Sequence, residues 1–95
     1  MAKIEIKETE AYVNIKNKMG MHARPAALLV NTCNKFLSEI IFEKEGLAVN
    51  GKSILGLMTL AAPYGSKILI KVKGPDAPEA LSGVIEIFEK KFNEE

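Results

Sequence analysis

Ser38-Glu39-Ile40-Ile41-Phe42-Glu43-Lys44-Glu45-Gly46-Leu47-Ala48-Val49-Asn50-Gly51-Lys52-Ser53 contains two extended runs around a turn. Residues 38–44 are rich in β-formers (Ile40, Ile41, Phe42), Lys44-Glu45-Gly46 has turn chemistry, and Leu47-Ala48-Val49 resumes the extended pattern. A link this short permits only antiparallel pairing, because parallel neighbours need a long crossover. Asn50-Gly51-Lys52-Ser53 then breaks the second strand.

The rest of the chain arranges itself around this hairpin. Upstream, Ala11, Val13 and Ile15 alternate with Tyr12, Asn14 and Lys16, which predicts a strand with one buried face. Ile4 and Ile6 have the opposite parity, so either a bulge intervenes or residues 3–7 form a separate arm. From Ala23 the period changes: Ala26, Leu29, Val30, Cys33 and Leu37 mark a first helix. Downstream of the hairpin, Ile54, Leu55, Leu57, Met58 and Leu60 predict a short apolar helix, and Pro63-Tyr64-Gly65-Ser66 a turn. Ile68, Ile70 and Val72 alternate with lysines and Leu69 in a last strand that Gly74-Pro75 ends. Asp76-Ala77-Pro78-Glu79 combines an N-cap acid, an early-helix proline and a glutamate at the third helical position. Leu81, Val84, Ile85, Phe88 and Phe92 follow as a helical stripe. The order is βαββαβα. Alternation leaves one sheet face polar, so the amphipathic helices must cover the other. The fold class is therefore α+β: an open-faced β-sandwich, a four-stranded antiparallel sheet covered on one face by helices.

Ninety-five residues make one small domain, spanning 1–95, with roughly 60–65% of the unfolded surface buried and no need of staples. A formal net charge of +1 provides no basic field for nucleic acid. The single cysteine, Cys33, lies on a helical apolar stripe and is predicted to be a small buried hydrophobe. A lone cysteine fits a reducing compartment. No signal-peptide stretch opens the chain and no apolar run reaches membrane-spanning length, so the expected location is cytoplasmic without membrane insertion.

The only histidine stands in Gly20-Met21-His22-Ala23-Arg24-Pro25-Ala26, where the strand pattern gives way to the helix pattern. With His22 as N-cap, the first N–H groups of the helix have no internal partner. Those of Ala23 and Arg24, with the positive end of the helix dipole, make an anion site. Arg24 is permanently charged and can fork onto phosphate oxygens. Pro25 lacks an N–H where none is needed and shapes the helix start. Gly20 lets the chain turn sharply into the helix. The helix field disfavours imidazolium and keeps the ring neutral and nucleophilic. One histidine with no cysteine partner is no metal site. The alternative is that His22 merely caps a helix, but Gly20, Arg24 and Pro25 around it favour a transferable phosphate.

Gly20-Met21-His22-Ala23-Arg24-Pro25-Ala26 resembles the active-centre motif of the histidine-containing phosphocarrier (HPr) family of the bacterial phosphotransferase system. Val49-Asn50-Gly51-Lys52-Ser53-Ile54-Leu55-Gly56-Leu57-Met58-Thr59-Leu60 resembles that family's second signature, and the likeness runs from about Glu10 to Phe92. The resemblance implies a phosphoryl carrier that is not itself an enzyme and needs no cofactor. Phosphate would pass from phospho-Enzyme I to Nδ1 of His22, and then to A-type components of sugar permeases or of a regulatory branch. Residues 1–9 would be an N-terminal extension or a lead-in to the first strand.

Two further features follow. Ser53 precedes the short helix and is placed to cap it. The resemblance also makes it a regulatory position: in the family's Gram-positive branch the serine at this place is phosphorylated by a dedicated kinase, with a phosphorylase to restore it, while unregulated relatives carry a serine there too. The short helix has more apolar side chains than one buried face needs. Leu57 and Leu60 are predicted core, while Ile54, Leu55 and Met58, beside Ala27, are predicted to form an exposed partner surface. Such transient docking suggests a monomer. Two other readings compete: a regulatory docking protein controlled through Ser53, and a small RNA- or ligand-binding domain using Tyr12, Lys71 and Lys73.

Overall fold

The computed structural model describes residues 4–94. The elements run β1 (Lys7–Asn14), α1 (Ala23–Cys33), β2 (Glu39–Lys44), β3 (Leu47–Asn50), α2 (Ile54–Thr59), β4 (Lys67–Gly74) and α3 (Ala77–Glu89), followed by one tight turn at Lys91–Asn93. The sheet is antiparallel throughout, in the order β1-β4-β2-β3. The β2–β3 hairpin closes through Glu45 and Gly46, both at positive φ, which is the backbone of a type I′ turn.

Alternation decides which side is covered. Ile68, Ile70 and Val72 of β4 and Ile40 and Phe42 of β2 point into the core, where α1 and α3 bury Leu29, Cys33, Ala80, Val84 and Phe88 over them. Phe88 is the centre of an aromatic row: its ring lies 6.0 Å from Phe42 and 5.0 Å from Phe92, the latter edge-on. The opposite face is open and polar. There Lys71 pairs with Glu43 at 3.1 Å, and the Lys67 ammonium lies 4.4 Å from the centre of the Tyr12 ring. Its lysines are thus matched by Glu8, Glu10, Glu39 and Glu43, and no basic stripe for RNA results.

Several local expectations are corrected. Of the stretch 3–7, the described residues 4–7 are neither a bulge nor wholly an arm. β1 begins at Lys7 and pairs as far as Gly74, while Ile4 and Ile6 lie exposed ahead of it, and residues 1–3 fall outside the described residues. Leu37 is not on α1, which ends at Cys33, and its side chain is 81% exposed. A spacing of four beyond Cys33 matched the helical period by accident. Phe92 is buried but not helical: α3 ends at Glu89, and the phenyl ring reaches the core from a left-handed turn.

Asp76 precedes α3 as expected but does not cap it with its side chain. Its carboxylate accepts instead from the backbone N–H groups of Leu37 and Ser38, both at 2.9 Å, and from the Ser38 hydroxyl. The acid thus ties the α1–β2 loop to the start of α3. The Ser38 hydroxyl, followed by the Leu37 N–H, holds the Asp76 carboxyl below the usual carboxylate range. Cys33 is buried, and desolvation pushes its thiol up to about 12 against a smaller opposing effect of Lys52.

A carboxyl whose affinity for protons is lowered by folding stabilises the fold above its unfolded value, and that contribution disappears as pH falls through the folded one. Asp76→Asn keeps the shape and removes the charge. Wild type is expected to melt higher than Asp76→Asn above about pH 5, with the gap closing below about pH 4. Thermal unfolding followed by circular dichroism across that range checks it, and a gap independent of pH would refute it.

Candidate functional site

The chain leaves β1 through Ile15, whose N–H donates to the Ser66 carbonyl while its own carbonyl accepts from Gly65 N–H, both at 2.8 Å. The two loops stay together: Met21 N–H donates to the Ala62 carbonyl at 2.8 Å. Gly20 makes this approach possible. Its φ is +72°, and a Cβ there would stand 2.6 Å from the Ala62 carbonyl oxygen and 2.9 Å from Pro63 Cα. The sharp turn expected of Gly20 is therefore also a close backbone contact.

His22 is the N-cap of α1 with extended backbone, and its carbonyl accepts the first helical bond from Ala26 N–H at 3.0 Å. Its side chain makes no capping hydrogen bond. The N–H groups of His22, Ala23 and Arg24 have no partner among the described residues. Those donors and the dipole of an eleven-residue helix face the same opening. Ala23 and Arg24 are exposed and Pro25 is buried in the first turn. Arg24 lines an open cleft of about 450 Å³ with Lys18, Met19, Asn93 and Glu94.

Glu94 was not legible as a site residue. Its Oε2 accepts from His22 Nε2 at 2.9 Å and its Oε1 from Asn17 Nδ2 at 2.8 Å. Asn17 is buried and also donates to the Gly20 carbonyl at 2.8 Å. The helix start is one electrostatic influence on the ring. The carboxylate adds one of opposite sign. Nothing among the described residues bonds Nδ1. A mere count of acids near the end of the chain would not have found Glu94, because the turn at Lys91–Asn93 brings it back. All three of these residues have φ between +55° and +60°, a backbone that costs L-residues roughly 1–2 kcal/mol each.

Ser53 caps α2: its Oγ accepts from Gly56 N–H at 3.0 Å. Leu57 and Leu60 are buried as expected, and Ile54, Leu55 and Met58 are exposed, Leu55 most of all at 80%. Ala27, on the facing helix, is half-buried, and α1 and α2 pack together. Among the described residues no group of histidine, cysteine or acidic side chains could hold a metal ion.

These features define a class: an open-faced βαββαβα sandwich whose only histidine opens a helix start with uncapped backbone N–H groups. A family model described as PTS HPr component phosphorylation site matches residues 9–90. Phosphocarrier protein HPr of Treponema pallidum is 45% identical over 83 residues, covering 87% of this chain and 94% of that protein. The HPr-like protein Crh of Halalkalibacterium halodurans is 49% identical over 81 residues, covering 85% and 96%. Among solved structures, HPr-C-His from Thermoanaerobacter tengcongensis superposes with a TM-score of 0.88 at 45% identity, covering 92% and 98%. An HPr dimer from that organism gives 0.74 at 45% identity, covering 86% and 94%. The chain belongs to the HPr family of phosphocarrier proteins.

Gly20→Ala combines a forbidden φ with a clash against backbone, which a neighbour cannot relieve by rotating. It is expected to cost about 2–4 kcal/mol in urea unfolding. An effect below about 0.5 kcal/mol would mean that the 62–63 loop yields freely.

Proposed function

We propose that this chain carries a phosphoryl group on Nδ1 of His22, taking it from phospho-Enzyme I and passing it to A-type components of the phosphotransferase system. The observation that carries the reading is the N-cap histidine with an uncommitted Nδ1 beside three open backbone N–H donors. Nδ1 attacks the phosphorus as the donor's bond to it breaks. The phosphoryl oxygens then meet the N–H groups of Ala23 and Arg24, the helix dipole and the Arg24 guanidinium. Transfer of this kind is mainly positioning and charge stabilisation, so a small rigid donor set suffices. The chain completes no net reaction alone and acts as a carrier rather than an enzyme.

Ile54, Leu55 and Met58, with Ala27 beside them, form the surface on which the partners dock. Exposed aliphatic and methionine side chains adapt to more than one partner. The carrier works as a cytoplasmic monomer, in sugar uptake or in a regulatory branch. No helix among the described residues is long and apolar enough to cross a membrane.

A second reading rests on Ser53. Its hydroxyl is at the start of α2, next to Ile54 and Leu55. A phosphate added there by a kinase would favour the helix start yet place charge beside the apolar surface and hinder docking. In that version the chain is a regulatory docking protein.

Intact mass after incubation with phosphoenolpyruvate, Mg²⁺ and Enzyme I separates the two. One acid-labile phosphate is expected on the wild type and none on His22→Ala. A wild type that stays uncharged beside a charged control carrier would contradict the carrier reading. Acid-stable phosphate on Ser53 from ATP and a protein kinase would then support the regulatory one.

A further inference from the structure

Gly56 is the third residue of α2, and the backbone there does not call for glycine. Its φ is not positive, in contrast to that of Gly20. A side chain would not collide with the core either. At Gly51 a Cβ would stand 2.6 Å from the Phe42 ring. At Gly56 it would meet Ser53 Oγ and Val49 Cβ, both at 3.3 Å, and the Asn50 carbonyl oxygen at 3.4 Å. A small shift relieves contacts of that kind. Glycine also weakens a helix relative to alanine, and α2 has six residues with only Leu57 buried. The residue is thus a poor choice for the fold, and what its Cβ would touch gives the reason for it. Ser53 Oγ accepts from Gly56 N–H at 3.0 Å, and its own proton has no acceptor among the described residues. The turn that carries the hydroxyl is fixed: Ser53 N–H donates to the Asn50 carbonyl at 3.1 Å, and Lys52 N–H to Asn50 Oδ1 at 2.8 Å. A Cβ at position 56 would fill the space between this hydroxyl and the Val49 side chain.

We infer that Gly56 is a specificity-determining residue for phosphorylation of Ser53: its missing side chain keeps open the space beside the hydroxyl into which a kinase delivers the phosphoryl group. The inference rests on the Ser53 reading given above. In that step Oγ attacks the terminal phosphorus of a nucleoside triphosphate. The bond from phosphorus to the bridging oxygen breaks, and the nucleoside diphosphate leaves with that electron pair. The hydroxyl proton, which no internal acceptor holds, passes to a base of the kinase. Transfer of this kind needs attacking and leaving oxygens in line, with the three other oxygens spread around phosphorus between them. Those oxygens need room close to Oγ, and a Cβ 3.3 Å from Oγ takes part of it. Ile54, Leu55 and Met58 remain exposed on the same helix for the kinase to grip, whichever residue stands at 56. The crowding therefore acts on the reacting hydroxyl rather than on docking.

Gly56→Ala adds one carbon and keeps the N–H that Ser53 Oγ accepts from, so it separates space from capping. Gly83→Ala, on α3, is the control for replacing a helical glycine, since its Cβ would meet only the Phe36 ring, at 3.3 Å. The full-length chains are incubated with ATP, Mg²⁺ and the dedicated serine kinase of the family's Gram-positive branch. Acid-stable phosphate is followed by intact mass, and thermal melts show that all three chains are folded at the assay temperature. Gly56→Ala is expected to lose about tenfold in kcat/KM, carried by kcat, with Gly83→Ala matching the wild type. Equal kcat/KM for wild type and Gly56→Ala overturns this inference alone. So does a loss carried by KM, which would mean damaged docking, or an equal loss in Gly83→Ala. A wild type that gains no acid-stable phosphate on Ser53 refutes the Ser53 reading, and this inference falls with it.

Discussion

A sheet with a single apolar face must be covered from one side, and that constraint places everything else. Burial of Ile68, Ile70, Val72, Ile40 and Phe42 commits α1 and α3 to the same layer. The β1–α1 and α2–β4 loops then meet at one end of the molecule, tied by the Met21–Ala62 and Ile15–Ser66 backbone bonds. The first turn of α1 opens at this junction. Its N–H donors remain unsatisfied because the sheet, rather than a capping side chain, sets where the helix begins.

Two electrostatic influences therefore act on one imidazole from opposite directions. The helix start presents positive partial charge and open donors on the side where an anion would bind. Glu94 presents a full negative charge to the other nitrogen at 2.9 Å. The two ring nitrogens are thus placed differently: Glu94 holds Nε2, while Nδ1 has no hydrogen-bond partner among the described residues. Because Asn17 bonds both Glu94 and the Gly20 carbonyl, the tight entry turn and the carboxylate belong to one hydrogen-bonded unit.

Much of this was legible in the sequence because it depends on local periodicity. The hairpin, the βαββαβα order, the His22 N-cap and the Ser53 cap follow from spacing and capping chemistry, and the same patterns separated buried Leu57 and Leu60 from exposed Ile54, Leu55 and Met58. What escaped depends on contacts between distant segments. Asp76 looks like a cap because its neighbours fit one, but the Leu37 and Ser38 N–H groups and the Ser38 hydroxyl, 38–39 positions away, compete for the carboxylate and donate three hydrogen bonds to it. Phe92 fits the α3 stripe, yet its ring reaches the core only after the helix has ended. Glu94 has no local signature at all, since it reaches His22 through a left-handed turn of three ordinary residues.

The measurement that bears most directly on this account is the position of the phosphorus on the charged protein. Multiple-bond correlation of ¹H, ¹⁵N and ³¹P on the phosphorylated, ¹⁵N-histidine-labelled chain identifies the bonded atom. The account requires phosphorus on Nδ1 of His22. Phosphorus on Nε2, the nitrogen that Glu94 holds, or on Ser53 would contradict it.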